Sequence, residues 1–176
     1  IVWGSGFIVT KNALDNIGPY YLLFFRFIVA SSLLALITFK KLKNASKQDI
    51  KAGIIIGLFL FAGFATQTVG LQYTEAGKQA FITSTNVVMV PFIYWAISKK
   101  RPDKFEVFAA ILCFIGIGIL SLNSDFSINI GDLLTLICAV LFACHISSTG
   151  YFAKELDPYV ISVVQMATAA ILSLIF

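Results

Sequence analysis

The sequence predicts an all-α, polytopic membrane protein, and three observations carry the prediction. Apolar residues make up 59% of the 176 and charged residues 12%, with mean hydropathy +0.90, against roughly 25% charge in an ordinary soluble domain. Too few polar residues remain to coat a water-soluble fold of this size. The apolar residues arrive in continuous runs of about 20, the length that crosses a bilayer as a helix, rather than alternating over about 10 as barrel strands do. Finally, nine of the thirteen Lys and Arg residues lie in two short stretches, 40–51 and 99–104.

Taken in order, the spans are an incomplete one at 1–15, then 20–39, 52–72, 76–97, 104–122 and 130–150, and a second incomplete one at 158–176. The chain opens at Ile1 without a methionine and stops at Phe176 inside an apolar run, so it reads as a fragment with seven spans, two of them truncated. No charged n-region with a cleavage site marks a signal peptide. Basic residues favour the cytoplasmic side, which places loops 40–51 and 99–104 there and the intervening loops outside. The net charge of +4 and pI of about 9.0 therefore express topology, and nucleic acid is not an expected partner. Cys113, Cys138 and Cys144 all fall in apolar runs and read as small buried hydrophobes.

A shift of 139 positions lays Pro19-Tyr20 on Pro158-Tyr159, Trp3 on Phe142 and Arg26 on Gln165. Both Pro-Tyr pairs open a span, and the five spans between the copies invert the second relative to the first. Inverted repeats are an architecture of secondary transporters, with substrate held near the midplane between the halves.

The run Ile1 to Lys11 (Ile-Val-Trp-Gly-Ser-Gly-Phe-Ile-Val-Thr-Lys), Pro19, Arg26-Phe27, the stretch Gly70 to Phe81, Val90-Pro91 and Gly131-Asp132-Leu133-Leu134 together resemble the EamA-type drug/metabolite transporter superfamily. The resemblance implies ten helices in two inverted repeats of five. Residues 1–122 would be the first repeat, its first helix truncated at the start, and 130–176 the truncated beginning of the second. One departure is Lys99-Lys100 where the family usually has Gly-Glu.

Polar groups within spans are costly and so are candidates for function. Arg26, seven residues past Pro19, lies on the order of 10 Å below the outer boundary. It is read either as a fork for an anionic substrate group or as a lock on neighbouring carbonyls. Lys11 and Lys78, about one turn from the outer edge, are read as snorkelling or ligand-contacting. Gln79, Thr83 and Asn86 recur at i, i+4 and i+7 and share one helical face, suited to a cavity or to interhelical hydrogen bonds. Pro91 frees the carbonyl of Val87 and is expected to bend this span. His145, the single histidine, is a packed or a protonatable cavity group, and Trp3 a cavity or packing aromatic. Gln165 is the pseudo-symmetry mate of Arg26. Gly53 and Gly57, with Gly116 and Gly118, suit close helix contact inside one subunit or a homodimer interface.

Several classes are excluded. Six residues separate Gly70 from Gly77, and Gln79 follows Lys78, so the Walker A spacing and hydroxyl fail. No nucleophile–base–carboxylate set accompanies His145, so no enzyme is expected, nor any catalytic residue, metal or cofactor. No filter segment suggests a channel, and the first span lacks the embedded glutamate expected of a small proton-driven antiporter. The expected function is a secondary carrier of a small polar metabolite or drug-like compound in the inner or plasma membrane, working by alternating access. A non-transporting assembly or lipid-associated protein is the alternative.

Overall fold

A break in the middle of the fourth predicted span shows best how local chemistry shapes the bundle. The computed structural model describes residues 2–121 and 129–176, with side chains for 6–116 and 129–176. Within it, α5 (Ala76–Ser84) and α6 (Asn86–Ser98) are separate helices, and Pro91 lies inside α6. The interruption is at Thr85, not at the expected proline. The Ser84 hydroxyl donates to the carbonyl of Ala80 and the Thr85 hydroxyl to that of Ile82, both at 2.7 Å. The Thr85 N–H also takes Ile82 O at 3.1 Å, a tighter i→i+3 turn. Consecutive hydroxyl residues compete for backbone acceptors and bend the helix there.

Other boundaries follow from capping. In α2 (Pro19–Ile37) and α9 (Pro158–Ile175) a proline occupies the first turn, where its missing N–H costs nothing. Capping boxes open α4 (Lys47–Leu71) at Ser46/Asp49 and α8 (Ile130–Phe152) at Asn129/Asp132. Lys47 and Lys51, predicted to lie in a loop, are consequently in the first turns of α4, and a short helix α3 (Phe39–Leu42) holds Lys40 and Lys41. α6 ends at Lys99 in the left-handed region, φ 59°. Glycine adopts that conformation freely, a physical reason for the glycine that the resemblance leads one to expect there.

Five stretches among the described residues are long and apolar enough to cross a membrane: 19–37, 47–71, 76–98, 130–152 and 158–175. The other two predicted spans correspond to α1 (Val2–Leu14), about 20 Å long at 1.5 Å per residue, and α7 (Lys104–Ser121).

α4 is the hub, packed against α8 and α9, with α2 against α9 and more lightly against α4, and α6 on α8. Its glycines set the distance. A Cβ on Gly57 would lie 2.7 Å from Thr168 Cβ, and one on Gly131 would lie 2.6 Å from the carbonyl of Gly70. Gly53 meets Val164, and Gly63 meets the ring of Phe142, in the same way. The Gly53/Gly57 pair thus makes close helix contact within the chain, while no described residue lies within 4 Å of a Cβ added at Gly116, and Gly118 lies outside the described side chains.

α2 and α9 run antiparallel. Tyr20 at the start of α2 meets Phe176 past the end of α9 with ring centroids 6.3 Å apart, Phe27 shares a core cluster with Ala169, and Lys41 pairs with Asp157. The two helices related by the 139-residue shift therefore have opposite directions. Lys41 with Asp157, and Lys154 with Tyr94, gather the ends of α3, α6 and α8 and the start of α9 at one end of the bundle. Lys11, Thr74, Lys78 and Asp132 mark the other end.

Candidate functional site

Polar side chains of four helices converge on a narrow cleft. Gly6, Phe7 and Thr10 of α1 form one wall and Arg26 of α2 another; Phe64, Gln67 and Thr68 of α4 and Gln79 of α5 complete it. Its volume, about 30 Å³, accommodates water-sized groups.

Arg26 holds its guanidinium carbon 4.5 Å from the centroid of the Phe64 ring. Among the described residues no carboxylate lies within salt-bridge distance of it. A cation stacked on an aromatic face and lacking a carboxylate keeps its in-plane donors available to an anion.

The predicted face of Gln79, Thr83 and Asn86 is realised across the Thr85 break: all three are buried. Gln79 is fully enclosed, and its Nε2 donates to the carbonyl of Gln67 and to Thr135 Oγ1 at 3.3 Å. Gln67 Nε2 reaches Thr83 Oγ1 at 3.4 Å. These bonds tie α4, α5 and α8 together, and among the described residues no donor reaches the buried Gln79 Oε1. A buried unpaired acceptor costs about 1–3 kcal/mol.

Lys11 and Lys78 reach neighbouring elements. Lys11 Nζ donates to the carbonyl of Thr74 at 2.6 Å, and Lys78 Nζ pairs with Asp132 Oδ2 at 2.7 Å. Asp132 Oδ1 accepts from Thr74 Oγ1 at 2.7 Å.

His145 and Gln165 form a separate pair, Nε2 to Oε1 at 2.8 Å. In the antiparallel register of α2 and α9, Gln165 lies near the level of Ser31, about 8 Å along the axis from Arg26. The structure does not bring Arg26 and Gln165 into contact. The side chain of Trp3 lies outside the described residues; its aligned partner Phe142 packs edge-on against Phe64 with centroids 5.0 Å apart. No group of three or more His, Cys, Asp or Glu able to hold a metal occurs among the described residues.

Gln67, Thr74, Thr135 and Asp132 were not singled out as site residues. Asp132 was legible as the second member of an Asn-x-x-Asp capping box. Its pairing with Lys78 crosses 54 residues and leaves no local pattern.

Residues 1–122 match the EamA-like transporter family. An uncharacterized transporter of Archaeoglobus fulgidus is 39% identical over 98% of this chain and 53% of its own length. A second from the same organism is 27% identical over 82% of this chain and 52% of its own length. The uncharacterized transporter YrdR of Bacillus subtilis is 26% identical over 74% and 43%. This chain thus spans about half the length of the curated relatives it matches. No solved structure matches it.

Proposed function

This chain belongs to the EamA-like transporter family, and on that footing we propose that it forms part of a secondary carrier for a small polar organic metabolite, operating by alternating access in the inner or plasma membrane. The observation that carries the substrate reading is the cleft, whose lining includes both Arg26, without a carboxylate partner among the described residues, and Gln79, whose buried Oε1 meets no donor among them. A ligand with an anionic group and an N–H or O–H donor satisfies both. The opposite directions of α2 and α9 support two inverted repeats, 1–122 and a second beginning at 130, with seven of ten spans in this chain. The lysine-rich end faces the cytoplasm in this reading.

The test uses the full-length protein in proteoliposomes with a metabolite-wide uptake and efflux screen. Arg26→Ala is expected to abolish flux of the identified substrate at normal membrane expression, and Arg26→Lys to raise KM, because the charge remains and the planar fork is lost. Unchanged KM in Arg26→Ala makes Arg26 a structural residue and removes the anion reading. Absence of flux for every compound in the screen favours a non-transporting membrane protein.

A further inference from the structure

The cleft has a tight frame and a loose wall. On the frame side, α4 touches α8 and α9 so closely that no Cβ fits at Gly53, Gly57 or Gly131 without displacing a neighbour. On the wall side, no described residue lies within 4 Å of a Cβ added at Gly6, and α1 packs only lightly, on α5 and α2. Close-packed interfaces resist sliding and loosely packed ones yield first. Because Gln79 and Thr83 tie α5 to α4 and α8, enlargement of a 30 Å³ cleft to metabolite size comes most easily from α1 moving away from α4.

Four residues oppose that movement at one end. Lys11 directly follows Thr10 of the cleft wall, and Lys78 directly precedes Gln79. Lys11 holds α1 to the carbonyl of Thr74 in the α4–α5 turn. Thr74 Oγ1 and Lys78 Nζ both bond the Asp132 carboxylate at 2.7 Å, on the first turn of α8. Asp132 is itself fixed by Asn129 N–H at 3.0 Å and is 6% exposed, with Lys78 at 21%. The chain Lys11–Thr74–Asp132–Lys78 thus links both wall helices to the frame directly above the cleft. At the opposite end, Lys41 and Asp157 are 47% and 34% exposed and join elements that flank the frame.

We propose that the Lys11–Thr74–Asp132–Lys78 network is a gate closing the cleft at the Asp132 end, with Asp132, braced by Lys78, as its fixed post and α1 as its moving leaf. The proposal rests on the transporter reading for its purpose but not for its test, which needs no substrate. In the full-length protein, Cys113, Cys138 and Cys144 are replaced and Thr10→Cys is introduced as a reporter of cleft access. Its reaction rate with a membrane-impermeant thiol reagent applied from the Asp132 side is then measured. Lys78→Gln is expected to raise that rate severalfold, Lys78→Arg to hold it at the parental rate, and Lys41→Gln to leave it unchanged. Asp132→Asn, which retains an acceptor for Asn129 and Thr74, is the second variant and should also raise the rate. An unchanged or lower rate in whichever of Lys78→Gln and Asp132→Asn reaches the membrane overturns the gate, as does an equal rise in Lys41→Gln. Raised labelling together with no flux in the screen leaves the gate standing and removes the transporter reading.

Discussion

At one end of the bundle Asp49 closes the first turn of α4; at the other, Asp132 closes that of α8, each as the third helical residue after its cap and each buried. Asp49 receives Ser46 N–H at 2.8 Å, the Ser46 hydroxyl at 2.7 Å and the N–H of Asp157 at 3.0 Å. All of these donors are neutral. Asp132 receives Asn129 N–H, the Thr74 hydroxyl and the Lys78 ammonium. The same cap motif has a purely structural job where lysines are abundant and exposed, and becomes the anchor of an ion pair where cations are few and enclosed. Removing a carboxylate leaves neutral donors unmatched in the first case and takes the ion-pair partner from a half-enclosed ammonium in the second.

Three variants sharpen or break that contrast, read as unfolding free energy in detergent micelles. Asp132→Ala is expected to have the largest effect, about 3–5 kcal/mol, because it takes the ion-pair partner from the enclosed Lys78 as well as removing a cap. Asp49→Ala should cost about 1–2 kcal/mol, the range for loss of a cap and one tertiary hydrogen bond. Equal losses at the two positions would erase the distinction. Lys41→Ala should cost at most about 1 kcal/mol and less as salt is added, since its pair with Asp157 is exposed. The N–H of Tyr159, and then Lys41, hold the Asp157 carboxyl below the usual carboxylate range. A folded value below the unfolded one stabilises above the ordinary carboxylate pKa, and this contribution vanishes as pH falls through the lowered value. The Lys41→Ala difference should therefore disappear in strong acid.

Much of this architecture was readable in the residues. Continuous apolar runs dictate helices, Pro19 and Pro158 mark two starts within one residue of the structure, and the lysine clusters do gather at one end. The break at Thr85 carries no proline or glycine signal, because the hydroxyls of Ser84 and Thr85 act only through local acceptor competition. The polar face of Gln79, Thr83 and Asn86 was legible from helical periodicity, but its partners Gln67 and Thr135 are not. They come from helices 12 and 56 residues distant from Gln79, and only the packed bundle brings them there. His145 and Gln165 likewise had to be seen in place, 20 residues apart and 2.8 Å from each other.

The glycines of α4 also fix an order of assembly. A nascent chain delivers its helices to the membrane from the N-terminus, so α4 is inserted while the neighbours that Gly53, Gly57, Gly63 and Gly70 require, on α8 and α9, are still unsynthesised. Until α8 and α9 emerge, about 60 to 100 residues later, that notched face meets lipid tails, which cannot reproduce the close backbone approach that small residues permit between helices. The docking of α8 that sets Gly131 against Gly70 also brings Asp132 to Lys78.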